Sequence, residues 1–358
     1  KLVEKFPDFD PNAKNGEGLT ILTYLVSKTA HFNRYSPLVC HLIALYGKEL
    51  EINDPNTKGF SPLVMASRAL YLHQKEAEAV IQTIFSLWGT QLTFVAAEFQ
   101  EDYPFFMACQ HGSVELVRKF FDFFPINIFH KDSKERNAFM ISAMNETPDG
   151  ARVLASLFRR FHKFLHLDTK DKEGNNIAHL CSKYGSPVIK FEKLHFLLRK
   201  ECPLPVFLER DNKNRGLVEL LSLFGSQEDI EAFELLAREV PKLLLDYSTS
   251  EGKSLPAHLL ENRAWRAVEI TLKHKLFDWD AYFPALSLLL LSEELEIISR
   301  VDEVLLCALS ESSAESFDSR WTNYELLLRE ASLQVQKKQL LELSNERRLE
   351  IKKTMAEQ

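Results

Sequence analysis

Seven times along the chain a polar, turn-forming stretch gives way to a short apolar run. The runs are GEGLTILTYL (16–25), KGFSPLVMAS (58–67), EDYPFFMACQHG (101–112), KERNAFMISA (134–143), EGNNIAHLCSKYG (173–185), KNRGLVELLSLFG (213–225) and EGKSLPAHLL (251–260). Each predicts a short helix with a small residue in its second half. A longer amphipathic segment follows, as in SVELVRKFFDFF (113–124), DIEAFELLARE (229–239) and RAWRAVEITLKH (263–274), with apolar residues at helical spacing. The pattern therefore predicts a succession of modules, each a turn, a short helix and a second helix.

The modules can be anchored on the first residue of each short run: Thr20, Ser61, Tyr103, Asn137, Asn176, Gly216 and Ser254. Successive anchors lie roughly 34 to 42 residues apart, a period that signals stacked repeats. Thr20, Ser61, Asn137, Asn176 and Ser254 are residue types able to cap a helix, accepting a bond from a free N–H of its first turn. Pro62 and Pro104 fall at the first helical position, where a missing N–H costs nothing. The polar leads are rich in Asp, Asn, Ser and Gly, which suit tight turns. Gly18, Gly59, Gly174 and Gly252 stand two positions before their anchors. Gly112, Gly185 and Gly225, nine positions past theirs, are expected to end the short helix in a left-handed conformation.

This arrangement resembles the ankyrin repeat family, whose unit runs turn, TPLHxA, glycine and a second helix of ELVxxLL type. Residues 101–121, with Ala108-Cys109, Gly112 and ELVRKFF, and residues 173–185, with His179 at the histidine position, carry the likeness most fully. Only Ser61-Pro62-Leu63 approaches TPL, and the long spacings require insertions after several helix pairs. The resemblance spans about residues 8–275. It implies an all-α solenoid of degenerate ankyrin-like helix-turn-helix repeats, about seven modules over 1–275. Residues 276–309 read as a terminal capping helix pair and 310–320 as a polar linker. Residues 321–358 read as a C-terminal helical extension, rich in Leu, Glu, Lys and Arg. Leu326, Leu333 and Leu340 lie seven apart there, but Arg347 breaks the line, so weak self-association is the most this segment suggests.

Composition narrows the function. Glycine (12) and proline (14) are scarce in 358 residues, which favours helices over a turn-rich β-fold. The net charge is −7 and no basic stripe of any length occurs, so nucleic acid is not expected as a partner. Five scattered cysteines, Cys40, Cys109, Cys181, Cys202 and Cys307, fit buried thiols in a reducing compartment. The longest apolar run, PALSLLLL at 284–291, is far short of the roughly 20 residues a membrane span needs. The expected location is cytoplasmic, or the host cytosol if the protein is a secreted effector.

Two Cys/His pairs invite a chemical reading. Cys109 belongs to a series of small residues with Ser67, Ala143 and Ser222, so it reads as packing, and His111 beside it as exposed. His179 and Cys181 are two apart on a helix, so they point to different sides and cannot share a metal. The resemblance implies that His179 bonds the backbone of an adjacent turn. Asp168, Asp171 and Glu173 lack the twelfth-position acid of a calcium loop. Asp278 and Asp280 read as a solvated cap, and the aromatics of FDFFPINIF (121–129) as filling between helix pairs. No Walker loop, GxGxxG or GxSxG occurs. No catalytic residue, metal site or cofactor is assigned.

The expected function is a non-enzymatic interaction scaffold for a protein or peptide, with no membrane span. By the resemblance, binding falls to finger tips and inner faces: Lys14, Asn15, Lys58, Lys134, Glu135, Asp171, Lys172, Asn212, Lys213 and Glu251. Two other classes stay open: a host-directed effector or substrate-recruiting adaptor of an intracellular bacterium, and an enzyme whose active site lies in the insertions or the C-terminal region.

Overall fold

The computed structural model describes residues 9–55, 59–93, 103–161, 167–199, 202–221, 227–249, 251–274 and 276. Among these the chain is all-α, and its one β feature is an isolated bridge between Ser248 and Ser254. The segments read above as a capping pair from 276, a linker at 310–320 and a helix at 321–358 lie outside the described residues, Leu276 apart. The chain divides into two compact parts, Lys1–Val206 and Phe207–Gln358.

In the first part the helices are α1 (Ile21–Ser27), α2 (Phe32–Tyr46), α3 (Pro62–Arg68), α4 (Gln74–Trp88), α5 (Pro104–His111), α6 (Val114–Phe123), α7 (Ala138–Ala143), α8 (Gly150–Phe161), α9 (Ile177–Lys183) and α10 (Pro187–Arg199), and the division falls within α11 (Leu204–Leu208). In the second they are α12 (Leu217–Leu220), α13 (Gln227–Glu239), α14 (Pro241–Leu245), α15 (Leu255–Glu261) and α16 (Trp265–Lys273). All seven sequence anchors are the N-cap residues of short helices.

The capping chemistry follows residue type. Thr20, Ser61, Asn137 and Asn176 each accept a bond from the N–H three residues on, at 3.2, 3.5, 3.0 and 3.1 Å. Ser254 occupies its cap without a side-chain bond, contrary to expectation, and instead pairs its backbone with Ser248. Gly216 has no side chain to offer. There Glu219 reaches back to the Gly216 N–H at 2.8 Å.

The polar leads fold into one turn, drawn five times. Five residues before the cap stands Asn15, Asp132, Asp171, Asp211 or Thr249. In each case one side-chain oxygen accepts two backbone N–H groups, from the residues three and one before the cap. The pairs are Glu17 and Leu19, Lys134 and Arg136, Glu173 and Asn175, Lys213 and Arg215, and Glu251 and Lys253, at 2.8–3.2 Å. The residue two before the cap takes positive φ: Gly18, Gly59, Glu135, Gly174, Asn214 and Gly252 lie between 59° and 79°. Glycine enters this region freely, and the turn holds Glu135 and Asn214 there as well.

Short helices carry the core. Every described side chain of α7 is buried, and in α3 all but Arg68 are. In the first part each short helix packs on the next short helix from α1 through α9, and α2 packs on α4, α4 on α6, α6 on α8 and α8 on α10. The aromatics at 121–129 bridge these layers. Phe121 lies 5.0 Å from Phe105 and 5.2 Å from Phe161, and Phe123 lies 5.3 Å from Phe85. Phe129 departs from that reading and is exposed. The extra helices α11 and α14 follow the longer helices of their modules and take up part of the long spacing.

The first two modules are near duplicates. The longer helices α2 and α4 each have 15 residues and end on Gly47 and Gly89, with φ of 50° and 45°. Two asparagines clasp each module to the next. Asn12 donates to Glu49 O at 2.7 Å and accepts Glu51 N at 2.8 Å. Asn53 donates to Gln91 O at 2.8 Å and accepts Thr93 N at 2.9 Å.

The terminating glycines divide. Gly185 has φ of 101°, as expected. Gly112 does not: its φ of −96° and ψ of 176° are extended backbone. Its reason is space, because a Cβ there would lie 2.7 Å from Ala108 O. Gly225 lies outside the described residues.

The turn geometry yields a stability prediction. Asp132 is buried and also bonds the Arg136 side chain. Asp132→Ala should cost about 1–3 kcal/mol in urea unfolding, because two N–H groups lose their acceptor. Asp132→Asn retains an acceptor oxygen and should recover most of that loss.

Candidate functional site

The repeated turn determines which side chains it presents. The oxygen five before the cap is turned inward onto the backbone, while the residue three before the cap is left outside. That position holds a charged residue in every module described there: Glu17, Lys134, Glu173, Lys213 and Glu251, all exposed. Both signs occur among the five, and in each compact part each such turn holds one charged side chain outside.

Against this geometry the sequence-expected contact residues separate. Lys134, Lys172, Asn212, Lys213 and Glu251 are exposed at tips, as is Glu135 with its positive φ. Lys14 is exposed but ion-paired with Asp54 at 2.8 Å, which raises its pKa above the ordinary lysine value. Asn15 and Asp171 are committed to their own turns through the bonds described above, and Asp171 further holds Asn175 Nδ2 at 3.0 and 3.1 Å. Lys58 lies outside the described residues. Glu17 and Glu173 were missed by the sequence reading, although counting three back from each anchor finds them. Glu173 pairs with Lys183 at 3.2 Å, and this bond holds its carboxyl below the usual range. Two fingers of the first part are joined tip to tip, Lys172 N donating to Lys134 O at 3.0 Å. In the second part Arg210 binds Asn214 O at 2.5 Å, Ser248 O and Glu219 at 3.3 Å, tying finger 209–215 to the next.

The Cys/His pairs are interior structure. Cys109 and Cys181 are fully buried. Burial pushes the Cys109 thiol well up and those of Cys181 and Cys202 to about 12. A nucleophilic cysteine needs the opposite, a stabilised thiolate. His179 is buried and closes a capping box at its own helix start: Nδ1 accepts Asn176 N at 3.2 Å while Asn176 Oδ1 accepts His179 N. That leaves the proton of a neutral ring on Nε2. Asn176 Nδ2 reaches Val206 O at 2.6 Å. His111 is not exposed as expected. Its ring is half-buried, with Tyr71 edge-on at 5.2 Å, and burial lowers its pKa to about 4.

Lys193 had no place in the sequence reading. It is fully buried on α10, with Nζ donating to Ala143 O at 2.6 Å, Tyr184 O at 2.9 Å and Asn145 O at 3.2 Å. Burial lowers its pKa from the ordinary lysine value, with Cys181 and Glu146 acting the other way. Its acceptors are carbonyls at the C-terminal ends of α7 and α9, where helix dipoles favour a cation. Among the described residues no cluster of His, Cys, Asp and Glu is arranged to hold a metal ion, and no helix is long and apolar enough to cross a membrane.

No protein-family model matches the chain, and no curated protein does. Among solved structures, it aligns with a chain from the complex of a predatory endopeptidase of Bdellovibrio bacteriovorus with an immunity protein. The identity is 16% over 64% of this chain and 87% of that one, with a TM-score of 0.29.

The His111 environment predicts an acid response. The folded value of about 4 lies below the ordinary 6.5, so the folded ring stays neutral while the unfolded ring takes a proton. Stability present above pH 6.5 is therefore lost as pH falls toward 4. Relative to His111→Gln, the wild type should lose about 2 kcal/mol between pH 7 and 4.5, read from urea midpoints.

Proposed function

We propose that the chain is a degenerate ankyrin-like solenoid of about seven modules. We propose further that it acts as a non-enzymatic scaffold, binding a protein or an extended peptide along its finger tips and inner helices. The observation that carries this reading is the turn drawn five times with one charged residue held outside at the same register. Charged side chains on turns that are already closed offer contacts with little ordering cost on binding. A stacked-helix array presents its binding surface as an extended face, which suits a long partner. The mixed signs at this register favour a partner of mixed charge over a nucleic acid, whose phosphates would require a basic face. The inert thiols and the capping role of His179 support the non-enzymatic half of the proposal.

The test is affinity capture from cell lysate with partners identified by mass spectrometry. The wild type is compared with a variant in which Lys134, Lys172, Glu173 and Lys213 are replaced by serine. The turn-closing residues Asp132, Asp171 and Asp211 stay in place, so the fingers stay folded. Loss of a partner from the variant alone is the expected result. Equal retention of every captured protein would remove the tips from the binding surface.

A further inference from the structure

The buried polar groups of the first part form a thread that crosses three modules. It begins at the end of α5, where the Cys109 and Gly112 carbonyls accept Asn145 Nδ2 at 2.9 and 3.3 Å. Asn145 is itself fully buried, just past α7, and its Oδ1 accepts Thr147 N and Oγ1 at 2.9 and 2.7 Å. Its backbone oxygen accepts Lys193 Nζ, which also takes Ala143 O and, at the end of α9, Tyr184 O. The three protons of one ammonium thus meet three carbonyls, from two helix ends and the loop between α7 and α8. Among the described residues no carboxylate is ion-paired to it.

From this we infer a conformational device: the Asn145–Lys193 thread locks the three modules that start at Tyr103, Asn137 and Asn176 into one block that opens cooperatively. In an array of stacked modules, each contact normally lies between nearest neighbours, so modules can open in sequence from one end. Apolar contacts permit this because each can be lost alone. The thread does not permit it. If residues 177–199 open, the Ala143 and Asn145 carbonyls lose their donor inside a still-packed core. If 138–147 opens, the ammonium is left buried with one carbonyl, and the end of α5 is uncapped. Each partial opening strands buried polar groups, which is costly, whereas opening all three lets water reach every one of them. The device works whatever the chain binds and does not depend on the scaffold reading.

Native-state hydrogen exchange on the full chain, resolved by mass spectrometry across a urea series, tests this. In the wild type the amides of α5, α7 and α9–α10 should share one opening equilibrium and one urea dependence. Lys193→Met keeps the length and removes the ammonium. It should raise exchange in 177–199 at least tenfold relative to α5, splitting the block. Asn145→Ala cuts the thread at its other joint while the backbone oxygen remains for Lys193. It should raise exchange in 104–111 at least tenfold and leave 138–143 and 177–199 moving together. Separate opening of the three segments in the wild type would overturn the inference. So would uniform acceleration of all three in Asn145→Ala, and that variant alone decides if Lys193→Met fails to fold.

Discussion

Each described finger is closed by one side-chain oxygen five residues ahead of a helix cap, and much of the module follows from where that oxygen sits. It gathers two N–H groups that a tight turn would otherwise leave to water. In doing so it sets the positive φ two residues before the cap and delivers the chain to the cap in extended conformation. The short helix then begins at a defined place and its apolar face meets its neighbour. Asparagine, aspartate and threonine all serve, because what is required is an acceptor at the end of a short side chain. Asp211 shows the electrostatic side of this: burial raises its pKa, but the bonds from Arg215 and the turn amides more than offset it, and the net shift is downward.

A second level of order links modules through polar groups in the core and at its margin. Glu78 on α4 accepts both the N–H and the hydroxyl of Ser113, at 2.7 and 2.8 Å, and so fixes where α6 starts. Asn145 and Lys193 do the same for helix ends further along. Such groups add geometric definition that apolar packing alone lacks, because a hydrogen bond tolerates little displacement. The apolar layers supply the bulk of the burial, with Phe85, Phe105 and Phe120 fully buried between modules.

The starts of the seven anchored short helices were legible in the sequence, and at four of them the reason is that capping is local: Thr20, Ser61, Asn137 and Asn176 satisfy amides three residues away. What is local in sequence but depends on space was misread. Gly112 looked like a left-handed terminator, and is instead a glycine pressed against Ala108 O. His111 looked solvent-facing because nothing in its own segment announces Tyr71. Long-range polar contacts were invisible, since Lys193 lies 50 residues from Ala143. At the finger tips residue type alone did not give direction: Asn15 and Asp171 carry the polar groups expected of a contact residue, yet direct them at their own backbone. Register, rather than composition, separates the inward side chain from the outward one.

The asparagine clasps give the chain a direction. Asn12 and Asn53 both reach forward, from one module to backbone groups of the next, and what they grasp is nearly the same: the segment just past a 15-residue helix ended by a left-handed glycine. Neither clasp reads a side chain on the far side. A gene segment coding one such period can therefore be copied or lost between them with both halves of the joint intact, each new module arriving with its own forward hand and its own backbone to be held. Variation in length is built into these two modules, while the Asn145–Lys193 region, whose bonds rely on particular side chains that single modules supply, is bound to the order it has.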